Sequence, residues 1–116
     1  MFRAIRRFIE RGRKGYCSED LWNFDYFLSD FLKRALIDFR KNVHSYPSSD
    51  VTWEEWLSII DEMIDCFAEQ NRSIDNVVDE LGNLNRDLHI KRFNHKKAKL
   101  NRGLELLEKY YYDLWN

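Results

Sequence analysis

One proline, Pro47, and four glycines are the only strong backbone breakers in 116 residues. Folds built from many short strands need turn residues at frequent intervals, so this scarcity predicts long helices and an all-α fold. The apolar spacing agrees. Leu100, Leu104, Leu107, Tyr111 and Leu114 recur at steps of four, three, four and three, with Tyr110 and Trp115 thickening the same face. That is the period of one side of an α-helix.

The same spacing sets out the other elements. Phe2, Ile5, Phe8 and Ile9 alternate with Arg3, Arg6, Arg7 and Arg11, predicting a short amphipathic helix that ends near Gly12. Ser18 is suited to cap a long helix carrying Leu21, Phe24, Leu28, Phe31, Ala35 and Phe39, widened by Trp22, Leu32 and Leu36 and reaching Val43. Pro47 ends that run. Thr52 and Glu55 form a T-x-x-E capping box ahead of Trp53, Trp56, Leu57, Ile60, Met63, Ile64 and Phe67. A fourth helix is expected from Ser73 through Ile74, Val77, Val78, Leu81, Leu84 and Leu88, with a break within 89–95 before the last one. The expected architecture is a compact helical bundle of four to five helices, with residues 1–116 as one domain and 1–14 as a possible basic amphipathic arm. For that arm the expected arrangement is a helix packed on the body with a solvated arginine face, the alternative being an arm for nucleic acid or a membrane surface.

Charge is distributed in blocks. Residues 1–15 hold six Lys/Arg and one Glu, residues 16–85 hold five basic and fifteen acidic residues, and residues 86–102 hold seven basic residues and Asp87. Two basic segments thus flank an acidic middle, an arrangement that serves internal pairing, subunit pairing or capture of an anionic partner. The candidates for anion or partner binding are Arg3, Arg6 and Arg7 in the first segment. In the second they are Arg86, Lys91, Arg92, Lys96, Lys97, Lys99 and Arg102, interleaved with His89, Phe93 and His95.

Chemistry is sparse. The three histidines and two cysteines form no metal-ligand or nucleophile spacing, and no phosphate loop is present. Cys17 and Cys66 read as structural thiols of a reducing cytoplasm. Glu62 and Asp65 form an E-x-x-D pair beside Glu54, Glu55 and Asp61, which admits a minor reading as a Mg²⁺-dependent nucleotide hydrolase. A solvated acidic face explains these residues more simply. No catalytic residue, metal or cofactor is therefore assigned. No apolar run approaches the roughly 20 residues that span a bilayer.

The segments "GYCSEDLWNFD", "HSYP", "TWEEWLSII" and "GLELLEKYYYDLW" resemble a family of small phage and prophage proteins with the pattern G-Y-x-x-x-D-x-W-x-x-D, then G-Y-P, W-x-x-x-L and G-L-x-L-x-x-x-Y-F-x-x-L-W. The likeness spans roughly residues 15–67 and 103–115. It carries Gly15, Tyr16, Asp20, Trp22, Asp25, Tyr46, Pro47, Trp56, Gly103, Leu104, Tyr110, Leu114 and Trp115, with Ser45 in place of the glycine before Tyr46. The resemblance implies phage origin and a place in the cytoplasm of an infected bacterium, and it brings no activity with it. The expectation is a non-enzymatic accessory protein that binds a host protein or a small anionic, nucleotide-like signal, as an inhibitor of host defence would. The alternative is a virion or packaging component that binds nucleic acid. A homo-oligomer is compatible with either.

Overall fold

Thr52 begins the helix around which the others are arranged. Glu55 N–H donates to Thr52 Oγ1 at 3.1 Å, and the Thr52 hydroxyl donates to the Glu55 carboxylate at 3.2 Å. The capping box read from the sequence therefore starts this helix. A computed structural model describes residues 2–47, 50–72 and 85–115, and it is all-α. Four helices are described: α1 (Phe2–Lys14), α2 (Phe24–Asn42), α3 (Trp53–Gln70) and α4 (Arg86–Tyr110), with short 3-10 turns at Ser18–Leu21 and Tyr111–Asp113. Helix α3 packs against α2 on one side and α4 on the other, while α2 and α4 make no close backbone approach to each other.

The core lies along α3. Trp56, Ile60, Met63, Cys66 and Phe67 are buried there, and Leu36, Val43 and Leu106 meet them from the flanking helices. Only one edge of the expected α2 stripe, through Leu32, Leu36 and Phe39, enters this core. Leu21, Phe24, Leu28 and Phe31 are exposed, while Leu36 and Val43 are buried and Leu32 and Phe39 pack against the core. Both sets repeat at helical spacing, so periodicity alone could not choose between two adjacent apolar faces. Helix α3 covers one of them.

Two boundaries also differ from expectation. Ser18 does not cap a long helix: it opens a single 3-10 turn, and α2 starts only at Phe24. Asp20 accepts a hydrogen bond from the Cys17 N–H at 2.9 Å, and Ser18 turns its hydroxyl to Glu10 at 2.8 Å. No break occurs within 89–95. Asn85 caps α4 by accepting from the Leu88 N–H at 3.1 Å, and the helix runs without interruption to Tyr110. "HIKRFNH" holds no glycine or proline to stop it. The fourth helix expected from Ser73 lies outside the described residues, except that its last apolar position, Leu88, belongs to α4.

Helices α3 and α4 are joined by an antiparallel ladder of charge. Asp65 accepts from Lys99 Nζ at 2.7 Å, Glu62 from Arg102 at 3.1 Å, and His95 Nε2 lies 3.9 Å from Glu69. Just beyond the Arg102 rung the two helices come close at Gly103. A Cβ there would lie 2.9 Å from Cys66 Cβ and 3.3 Å from the Phe67 ring, inside van der Waals contact.

Among the described elements helix α1 touches only the 3-10 turn. Arg6 and Arg7 reach Glu19, and Arg11 reaches Asp20 at 2.9 Å. Gly15, at φ +85°, ends the helix, with its N–H donating to the Arg11 carbonyl. The expected arrangement is thus reversed. The arginine face is turned toward the chain, and Phe2 and Phe8 are 83% and 80% exposed. The acids Glu19 and Asp20 on the adjoining turn account for this orientation.

Candidate recognition cleft

The expected anion-binding residues fall into two groups. Arg6, Arg7, Lys99 and Arg102 are committed to carboxylates of the same chain, and Lys96 donates to the Arg72 carbonyl at 2.7 Å. Arg3, Arg86, Lys91, Arg92 and Lys97 have no acidic partner among the described residues. The two basic segments do not come together, since α1 rests on the turn and α4 on α3. No described site therefore surrounds an anion with convergent cations. The Glu62–Asp65 pair is likewise occupied: Lys99 holds Asp65 below the usual carboxylate range, chiefly through its hydrogen bond. Among the described residues no group of three His, Cys, Asp or Glu side chains is placed to hold a metal ion. Both cysteines are buried, and burial pushes the Cys66 thiol up from its ordinary value.

The residues carried by the family resemblance are divided differently. Tyr16 is half-buried near the Lys14 ammonium, Trp22 is 85% exposed, and Asp25 is exposed on the first turn of α2. Although apolar residues surround it in sequence, Asp25 therefore needs no buried donor. Trp56 is fully buried and packs on Tyr110, with ring centroids 5.5 Å apart. Tyr46 meets Trp53 edge to face at 5.9 Å. Ser45 donates its hydroxyl to the Trp115 carbonyl at 3.4 Å, tying the loop after α2 to the end of the chain.

Next to that tie, at Tyr46 and Trp115, lies a cleft of about 700 Å³. Tyr46, Pro47, Tyr110 and Trp115 line it, with Val51 and Ile59 adding apolar surface. Motifs more than sixty residues apart in sequence thus meet around one depression. The charged groups in it are Asp50, Glu55, Asp113 and Lys109. Glu55 is engaged with the cap at Thr52, and Lys109 Nζ lies 5.4 Å from the centroid of the Tyr110 ring. None of the three carboxylates has a cationic partner within 4 Å among the described residues. The lining combines exposed aromatic rings with an excess of negative charge. This is the chemistry that receives an ammonium or guanidinium group, through ring quadrupoles and charge-assisted hydrogen bonds.

The aromatic residues of this cleft are among those the resemblance carries, whereas its acidic residues are not. Of its charged groups only Glu55 carries a sequence signal, as part of the capping box; Asp50, Asp113 and Lys109 stand in no motif of their own. The available signal was Asp113 itself, which lies inside the "YYYDLW" motif between the tyrosines and Trp115. A second depression, of about 960 Å³, runs between α2 and α4 with Phe67 and Gln70 of α3 at its floor. Leu28, Leu32, Phe93 and Leu100 make it mostly apolar. No protein-family profile matches the chain, and no curated protein or solved structure is similar to it.

Proposed function

We propose that this chain is a non-enzymatic accessory protein of phage origin that binds a host protein in the bacterial cytoplasm. Its recognition site is the cleft lined by Tyr46, Tyr110 and Trp115. The observation that supports this reading is the convergence there of the two motifs carried by the resemblance, together with carboxylates that lack counter-ions among the described residues. A basic side chain presented by a partner segment supplies what the cleft lacks, and its stem packs on the rings. Small anionic signals are less well served, because the cations expected to hold them are split between two separate helices and half of them are already paired.

Host lysate passed over the immobilised protein tests this, with Asp113→Lys and Trp115→Ala as matched controls. One host protein should be retained by the unsubstituted chain, lost with either variant, and eluted by salt. Equal retention by the Asp113→Lys variant would remove the cleft from consideration.

A second reading has its own observation. Arg86, Lys91, Arg92 and Lys97 lie on the first half of α4 without acidic partners among the described residues, which supports contact with nucleic acid. Migration of a DNA or RNA duplex at low salt decides it. A shift abolished by Lys91→Glu with Arg92→Glu would favour it, and unchanged migration with the unsubstituted protein would end it.

A further inference from the structure

Helix α1 raises a question that the cleft does not answer. Amphipathic helices of globular domains turn their apolar stripe inward and leave arginines in water. Here Arg6, Arg7 and Arg11 are held by Glu19 and Asp20, and the opposite side of the helix carries Phe2, Ile5, Phe8 and Ile9, each at least half exposed. The helix contributes no buried residue to the fold. Its own acid, Glu10, is occupied by Ser18, which donates both its N–H and its hydroxyl at 2.8 Å. What the helix has left over is cationic, since Arg3, Arg13 and Lys14 have no acidic partner among the described residues.

We propose that α1 is an interfacial helix that lays its outward Phe2–Ile5–Phe8–Ile9 stripe on an anionic lipid surface. A short helix with Phe and Ile on one face and uncommitted Arg and Lys beside it combines the two attractions such surfaces offer: burial of apolar side chains at the headgroup boundary and attraction to negative lipid. Thirteen residues rise about 20 Å, too little to cross the hydrocarbon core. The helix lies on the surface and does not traverse it. A second copy of the chain is the poorer cover. Two such helices brought together would add like charge to like, since each holds six Lys/Arg against Glu10, Glu19 and Asp20, and the apolar groove between α2 and α4 carries Lys96 and Lys97 against Asp25. The aromatic cleft suits an isolated cation, whereas α1 offers an apolar face.

Co-sedimentation of the full chain with phosphatidylglycerol or phosphatidylcholine vesicles tests the proposal. Binding is expected to phosphatidylglycerol, to weaken with added salt, and to fall about tenfold or more in Phe8→Asp. Because Phe8 touches no core residue, that variant keeps its helical circular dichroism. Arg3→Glu with Arg13→Glu should weaken binding to phosphatidylglycerol alone. Failure to sediment with either vesicle, or binding indifferent to Phe8→Asp, would overturn the proposal. So would concentration-dependent self-association that Phe8→Asp abolishes while no lipid is bound.

Discussion

Gly103 is the residue at which chain identity matters most locally. In an exposed helix interior, replacing glycine with alanine stabilises by about 1 kcal/mol. At Gly103 the added methyl would meet Cys66 Cβ, a rigid atom that cannot swing aside. Gly103→Ala should therefore destabilise by about 1–3 kcal/mol, despite its better helix propensity. The neighbouring ion pairs behave differently. Lys99 and Arg102 sit on partly solvated surface, so Lys99→Ala and Arg102→Ala should each cost no more than about 1 kcal/mol. Urea denaturation of the three variants ranks them. A Gly103→Ala variant as stable as the unsubstituted protein would show that α3 and α4 can separate at no cost.

At the scale of the element, α1 is a helix held by charge. The Arg11 guanidinium and the Cys17 N–H hold the Asp20 carboxyl at about 2, well below its ordinary 3.8. A depressed carboxyl contributes stability above its unfolded value and loses it as pH falls through the folded one. The clamp on α1 should thus be complete above about pH 4 and released toward about pH 2. Amide protection in α1, followed by exchange across that range, should decline there in the unsubstituted chain. In Asp20→Asn it should already be low at neutral pH. Equal protection in both would mean that α1 is held by something other than this turn. The elements also show what the sequence could and could not convey. Thr52 and Glu55 announced α3, Pro47 announced the end of the second helix, and the all-α class followed from the lack of breakers. Orientation was not legible. The α1 pattern is the same whichever face points inward, and only the nearby Glu19 and Asp20 decide it. On α2, two apolar faces were equally periodic. The cleft was half legible, because its aromatics belong to recognisable motifs while its carboxylates come together only through the fold.

Across the whole molecule, stability is divided unequally. The apolar core cluster lies on α3 and on the parts of α2 and α4 that face it, whereas α1 is joined, among the described residues, through a single turn beside the buried Cys17. Exchange should be slowest along Ile60–Phe67, and α1 should open locally, independently of global unfolding. Gly103→Ala should accelerate exchange in α3 and α4 and leave α1 unchanged. Parallel acceleration in α1 would mean that the molecule unfolds as one unit. The pairing of α3 with α4 has one more consequence, and it concerns register. The charge ladder is degenerate: a slip of α4 by one turn would set Lys99 against Glu62 or Glu69, still opposite in sign. The glycine is not degenerate, because the same slip would drive Leu100 or Leu107 against Cys66. Gly103 therefore acts as an indexing notch that selects one of several electrostatically acceptable alignments. A slip of one turn is about 5.4 Å, and it would carry Tyr110 and Trp115 away from Tyr46 and Pro47. A position with no side chain thus fixes where the two halves of the aromatic cleft meet.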